Sequence, residues 1–452
     1  MTTKFKKLSI AVALSTALTG TAFSDGHMVA KGTGGYSWDS LDKFENMDLS
    51  GVTVTVTGPW LAPENGIFTS IMSYFEEATG ADVQYTGSDS FEQQIVIDTQ
   101  AKTPPNVAIF PQPGLAADLA SRGLLSPVSS NVKNAVLNNY AAAQSWVDLA
   151  TYKDNKGKDQ FYGVFFRVDL KSLVWYSPDN FDDYGYDVPE TMEDLLALSD
   201  QMVKDGNTPW CIGLGSGAAT GWPATDWVED IMLRTQTPED YDKWVTNELK
   251  FDDPKVVEAI ETFGKFARND DYVQGGATAV GTTDFRDSPK DLFTVPAKCF
   301  MHRQASFIPA FFPEDIVVGE DADFFYFPAF ESKDLGKPVL GAGTVVTVTK
   351  ANKGTEALLE YLTTPLAHEL WMAKGGFLSP QKDAKVELYK DETLQRQGEI
   401  LLNATTFRFD GSDLMPGAIG AGSFWTGMVD YVDGKSADAV AKDIQKSWDA
   451  IK

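Results

Sequence analysis

Three tryptophans (Trp210, Trp222 and Trp227) fall within the stretch Trp210–Arg234, WCIGLGSGAATGWPATDWVEDIMLR, beside one of only two cysteines and ahead of an acidic helix start. Indole faces pack on apolar C–H surfaces and indole N–H groups donate hydrogen bonds. Gly213, Gly215 and Gly217 let the backbone bend and come close to whatever lies opposite. The combination describes a pocket wall more than plain core. Catalytic chemistry is harder to place. Gly213-Leu214-Gly215-Ser216-Gly217-Ala218 imitates a dinucleotide fingerprint, but Gly221 and Pro223 end any helix that should follow it. His368-Glu369 starts like a zinc-protease motif, yet Met372 stands where the second histidine belongs. No G-x-S-x-G or Walker motif occurs. Two cysteines and three widely spaced histidines (His27, His302, His368) do not make a zinc site, so neither metal nor cofactor is expected.

A wall needs a scaffold, and 452 residues exceed what one core normally serves, which implies two domains. The net charge of −26 argues against nucleic acid or an anionic membrane as partner. At the N-terminus, Lys4, Lys6 and Lys7 precede a short apolar run, Leu8 to Leu18, and Ala22-Phe23-Ser24 offers a cleavage site. Residues 1–24 therefore read as a secretory signal too short to span a bilayer, with no lipid-anchor cysteine after it. Periplasmic export follows, and an oxidising compartment allows Cys211 and Cys299 to pair or to remain as two buried thiols.

Val52, Val54 and Val56 alternate with threonines as a half-buried strand, and Ile67, Phe68, Ile71, Met72 and Phe75 recur at helical spacing up to Gly80. Asp82–Thr86 and Val107–Phe110 continue as strands, with helices at Phe91–Thr99 and Leu115–Arg122. This β-α rhythm implies a parallel sheet wrapped by helices. Gly163–Val168 and Leu173–Tyr176 lie almost end to end, after which a second α/β series begins with strands expected at Lys298–Met301 and Phe324–Phe327 and a helical pattern over Ala384–Leu402. We read two α/β lobes, residues 25–165 plus 346–377 and residues 166–345 plus 378–452. Each is expected to hold a central, mostly parallel sheet. The chain crosses between them near Gly163–Val174, Val339–Val348 and Gly375–Gln381. Such crossings make a hinge, and a hinge makes a cleft at the strand ends.

At this point the residues resemble a known family. Phe75-Glu76-Glu77-Ala78-Thr79-Gly80-Ala81-Asp82-Val83, Pro104–Gly114, the crossover Tyr162–Tyr176 and Leu414-Met415-Pro416-Gly417…Gly422-Ser423-Phe424-Trp425 resemble the family-1 extracellular solute-binding proteins of ABC importers. Pro209–Arg234 with Cys299–Phe307 resembles the alpha-glucoside-binding branch. The resemblance implies a type II periplasmic-binding-protein fold, a carbohydrate ligand held by hinge closure, a permease as transient membrane partner, and a monomer. Sugars present apolar faces and a rim of hydroxyls, so candidates are aromatic platforms and planar polar side chains. Trp60 directly follows the first strand and serves either the site or interlobe packing. Asp89 accepts hydroxyls or merely caps a helix. Arg167, a charge inside an apolar strand, either pairs with a carboxylate such as Asp169 or forks onto the ligand. Trp222 and Asp226 belong to the opening stretch, whereas Trp227 reads as core. Arg408 and Asp410 form an ion pair beside the cleft or touch ligand. Gln112, Arg303 and Trp425 are implied by the resemblance. The main rival, a secreted glycoside hydrolase, needs two carboxylates of divergent pKa roughly 5–10 Å apart, and no recognisable setting for such a pair occurs.

Overall fold

The computed structural model describes residues 26–451, Ala142 apart. The expected signal segment lies outside the described residues. Alternation places Val54 and Val56 inward on β1 (Thr53–Gly58), and the following helix Glu64–Thr79 ends where Gly80 adopts the left-handed conformation, its N–H donating to the Glu76 carbonyl. Strand β2 (Asp82–Gly87) and strand β3 (Val107–Phe110) both pair parallel with β1. A short hairpin, β4 (Thr151–Lys153) with β5 (Asp159–Phe161), precedes the first crossing.

The crossing is β6 (Gly163–Leu170), followed after two residues by β7 (Leu173–Tyr176). Farther on come β8 (Met301–Arg303), β9 (Asp323–Tyr326), the eleven-residue β10 (Pro338–Val348) and β11 (Thr406–Phe409). Every residue of β10 is buried, because it is shared. Its last residues pair antiparallel with β3, its first pair parallel with β11, and β6 lies antiparallel along most of its length. The register between β6 and β10 shifts at Thr344/Val345, a bulge of the kind that re-aims side chains beside sites. The resulting order is β11-β10-β3-β1-β2, with β6 also on β10.

In the second lobe the strand-helix rhythm implies parallel pairing, but β8 and β9 both flank β7 antiparallel. The reason is connectivity. β7 runs on from β6, so the crossing rather than a crossover helix sets its direction. The strand expected at Lys298–Met301 forms over Met301–Arg303, where Val174, Trp175 and Tyr176 of β7 pair with it. The pattern over Ala384–Leu402 yields a 3-10 turn, Val386–Leu388, and a helix from Thr393, whose N–H bonds the Asp391 carboxylate. Three helices carry side-chain caps: Thr191 accepts from Asp194 N–H, Thr237 from Asp240 N–H and Asp253 from Lys255 N–H, whereas helix Phe91–Gln100 starts after Ser90 with no side-chain cap from Asp89.

One hydrophobic core is built from side chains of residues 41–166 and 345–377 with Phe409, another from residues between Val174 and Ile444. Cys211 and Cys299 form a disulfide, Cα atoms 5.5 Å apart, and Cys211 N–H donates to the Met301 carbonyl. The bond fastens the glycine-rich stretch to β8. Its closed loop spans 88 residues. Cys211→Ser with Cys299→Ser should therefore destabilise the protein by about 4.6 kcal/mol in the chain-entropy description. Urea unfolding of the double variant against the oxidised protein measures this, and equal midpoints would refute a stabilising bridge.

Candidate functional site

Strand alternation builds the floor of a cleft between the two cores. Arg167, Asp169 and Lys171 are two apart along β6 and its exit, so they share a face, and all three line a cavity enclosing about 910 Å³ including its open mouth. Opposite them on β10, the bulge turns Ala342, Gly343 and Thr344 to the same cavity. The first wall comes from loops after the strands β1, β2 and β3: Trp60 with Glu64, Asp89 with Glu92, and Gln112. The second wall carries Trp222 and Asp226 on helix Trp222–Thr235, Phe285 and Phe307 on loops, Asp413, and Trp425.

Glycines bring these walls together. A Cβ on Gly217 (φ +56°) would stand 2.7 Å from the Asp89 carboxylate, and one on Gly221 (φ +113°) 2.2 Å from the Trp425 carbonyl oxygen. The opening stretch thus touches the first wall through Gly217 and seats Trp425 through Gly221. Of its three tryptophans only Trp222 reaches the cavity. Trp210 is fully buried with its indole N–H on Ser199, and Trp227 packs edge-on against it.

Charges in the floor are paired. Arg167 contacts Glu64 at 2.5 Å and Asp169 at 3.2 Å, with its guanidinium over the rings of Trp60, Phe307 and Trp371. Lys171 Nζ lies 2.8 Å from Asp226 and 2.5 Å from Asp410, and 5.6 Å from the Trp222 ring centre. Asp226, Glu229 and Asp410 offer oxygens within 4.8 Å of one another, a spacing that suits a metal ion. The Lys171 ammonium already supplies a cation there, and Glu229 accepts from Gly411 and Ser412 N–H groups.

Seven of the ten candidates read from the sequence line the cavity: Trp60, Asp89, Gln112, Arg167, Trp222, Asp226 and Trp425. Three do not. Arg303 sits one layer behind, because β8 is covered by helix Trp222–Thr235; it bonds Asp230 at 2.6 Å and approaches Asp226 at 3.8 Å. Arg408 makes a two-pronged pair with Asp242 on helix Pro238–Val245 rather than with Asp410. Asp410 caps the next helix through Asp413 N–H, which turns its carboxylate inward to Lys171. Sequence reading passed over Lys171, which the same period of two that marks Arg167 would have exposed. It also passed over Glu64, Glu92, Thr344 and Asp413, for which no local signal exists.

Six buried polar atoms of cavity-lining residues have no hydrogen-bond partner among the described residues: Trp60 Nε1, Gln112 Oε1, Asp169 Oδ1, Asp226 Oδ2, Thr344 Oγ1 and Trp425 Nε1. Leaving such a group unsatisfied costs about 1–3 kcal/mol, so the cleft is built for a ligand that both donates and accepts.

Burial pushes Glu92 up to about 7, and pushes Asp226 up to about 7 against the pull of Lys171. Glu229 and Asp413 are raised well above the ordinary carboxylate range by the same cause. A carboxyl raised on folding holds more protons folded than unfolded, so its contribution to stability falls as pH climbs toward the folded value. The buried histidines His302 and His368, pushed by burial down to about 4 and about 3, work the other way but only below their ordinary value of 6.5. Stability of the free protein should therefore decline from pH 4.5 to about pH 7, opposed by the histidines only below 6.5, and Glu92→Gln should flatten the decline. Urea midpoints across that range are the measurement; a rising or level profile would contradict the buried-carboxyl account.

Residues 59–369 match the family described as bacterial extracellular solute-binding protein. The chain is 60% identical over 419 residues to the alpha-glucosides-binding periplasmic protein AglE of Rhizobium meliloti, covering 92% of each chain. It is 40% identical over 403 residues to the osmoprotective compounds-binding protein GgtB of Synechocystis, covering 89% of this chain and 94% of that one. Among solved structures, the bacterial solute receptor AcbH superposes with a TM-score of 0.75 at 19% identity, over 88% of this chain and 99% of the other. Maltose-bound MalE3 of T. maritima superposes at 0.68 with 15% identity, over 89% and 100%. These structures share the two-lobe α/β fold. No helix among the described residues is long and apolar enough to cross a membrane. With the family model spanning most of the chain and a relative at 60% identity over 92% of it, the protein belongs to the bacterial extracellular solute-binding proteins.

Proposed function

We propose that this protein captures a neutral alpha-glucoside, of the sucrose, trehalose or maltose size, in the cleft between its lobes and delivers it to the permease of an ABC importer. The observation that carries the reading is the set of six unpartnered polar atoms set among indole rings. Two are N–H donors (Trp60, Trp425), three are acceptors (Gln112, Asp169, Asp226), and the Thr344 hydroxyl does either. Sugar hydroxyls answer both kinds, and the C–H faces of a pyranose suit the rings of Trp222 and Trp425. The identity to AglE points to the same ligand class.

The unpartnered atoms come from both lobes and from the strands between them, so only a closed cleft satisfies all of them. Ligand binding then shifts the population toward closure. Export by the leader at residues 1–24 to the periplasm and action as a monomer belong to this reading. Arg303, Arg408 and Asp410 take supporting roles in it, since none of them lines the cavity and each is held by another side chain.

A hydrolase remains the competing reading, and the pairing of charges disfavours it. Asp226 and Asp410 share Lys171, while Glu64 and Asp169 share Arg167, so these acids are committed to cations. Titration calorimetry with sucrose, trehalose and maltose should give stoichiometric binding of at least one sugar and turnover of none; product formation would establish the hydrolase. Trp425→Ala should weaken the affinity roughly tenfold or more, about 1.4 kcal/mol, while circular dichroism stays unchanged. Unaltered affinity would remove Trp425 from the site.

A further inference from the structure

Helix Pro113–Ser121 belongs to the first lobe, with Leu115, Ala116, Leu119 and Ala120 in its core. The segment Leu414–Phe424 belongs to the second, where Met415, Ile419 and Phe424 are core residues. The two meet at the flank of the cleft. Half-buried Asp118 accepts the Gly417 N–H through a carboxylate oxygen at 2.8 Å. Glycines allow the close approach. A Cβ on Gly114 would stand 2.0 Å from the Met415 carbonyl oxygen, and one on Gly417 2.7 Å from Leu115 Cδ1. Leu414 packs on the first core while its neighbour Met415 lies in the second. The contact borders the cavity from both lobes, because Gln112 directly precedes the helix, Asp413 directly precedes Leu414, and both line the cavity. Beyond Gly417 the chain makes a π-helical turn, Ile419–Phe424, in which Ser423 N–H reaches back to the Ala418 carbonyl. Such turns are frequent at functional sites. The next residue is Trp425, which opens helix Trp425–Val432 and lines the cavity. Asp118 thus reaches from one lobe to the base of the segment that presents an indole platform on the other.

We propose that Asp118 is a positioning residue of the sugar site, a latch that forms on Gly417 when the lobes close and holds the Trp425 segment against the first lobe; this rests on the cleft being the glycoside site. Strands β6 and β10 carry the chain between the lobes, and neither passes through this contact, so motion about them parts it. Both partners are half-buried, and each returns to water when the contact opens. Arg167 and Lys171 cannot serve in this way, since their release would strand buried carboxylates. A charge-assisted hydrogen bond made only in the closed form favours that form. It slows release of the sugar and leaves capture by the open form unaffected. Asp118 itself does not line the cavity; its effect passes through the placement of Trp425.

Stopped-flow fluorescence with sucrose, trehalose and maltose measures capture and release separately. Asp118→Ala should speed release roughly tenfold and leave the association rate within about twofold. Asp118→Asn, whose amide oxygen accepts the same N–H, should keep release within about threefold of the unaltered protein. Hydrogen exchange at the Gly417 amide gives a second readout: saturating sugar should slow it in the unaltered protein and in Asp118→Asn, but not in Asp118→Ala. Release within about twofold of the unaltered rate in Asp118→Ala would overturn the latch. So would a loss that Asp118→Asn fails to repair, because the accepted hydrogen bond would then not be what matters. Should Asp118→Ala fail to fold, exchange at Gly417 in the unaltered protein decides, and protection that sugar leaves unchanged would overturn the latch. Failure of all three sugars to bind the unaltered protein would overturn the assignment of the cleft to glycosides, and the latch with it.

Discussion

Lys171 leaves β6 at the first crossing and buries its ammonium between Asp226 and Asp410, one from helix Trp222–Thr235 and the other from the segment after β11. Around this contact a second layer closes. Arg303 and Arg234 meet on Asp230, and Arg234 also donates to the carbonyls of Phe327 and Pro328. Taking so many charges out of water is expensive, and the arrangement holds only because nearly every group finds a partner. Removing one would leave the others stranded in a dry interior. The network therefore fixes the pose of the helix that presents Trp222, and fixes it relative to the strand that crosses between the lobes.

That placement explains why a cleft rather than a filled core forms here. The floor is two antiparallel strands, β6 with charged cleft-facing residues and β10 with Ala342, Gly343 and Thr344, while the cores on either side are apolar. At the Thr344/Val345 bulge the Thr344 hydroxyl is left without a hydrogen-bond partner among the described residues, and loops after three parallel strands supply the wall above it. Ligand sites in open α/β sheets lie at such strand ends because the strand ladder consumes the backbone groups and leaves the loops free to vary. The second lobe reaches the same end differently, through a small antiparallel sheet covered by a helix. The consequence is a clamp with one rigid floor and two chemically unlike walls.

The electrostatics of those walls divide the acids into two populations. Glu64, Asp169, Asp226 and Asp410 are committed to cations, and they stiffen the site. Glu92 and Asp413 are not, and burial raises both. A surface this acidic, −26 over the whole chain, would ordinarily spread its charge into solvent. Concentrating uncompensated carboxyls at a cleft works against stability, and positions that do so are where function is to be sought.

Much of this was legible in the chain itself. Hydrophobic periodicity, caps at Thr191, Thr237 and Asp253, and Gly80 as a helix stop fixed the order of elements, because those signals act within a few residues. The near-continuous strands at the crossing marked the hinge, and a lone arginine in an apolar strand marked its floor. Tertiary structure decided the rest. Arg408 and Asp410 are two residues apart, yet one reaches Asp242 and the other Lys171, since the cap at Asp410 turns the chain between them. The acids of Trp222–Thr235 stand at a helix start, yet Asp226, Glu229 and Asp230 are all buried, because Lys171, Arg234 and Arg303 pair with the two aspartates and the Gly411 and Ser412 N–H groups donate to Glu229. Pairing across such distances leaves no mark on local sequence. Aromatic and acidic residue types set the chemistry open to the cleft; which of them share a cavity was settled only when the crossing strands brought two lobes face to face.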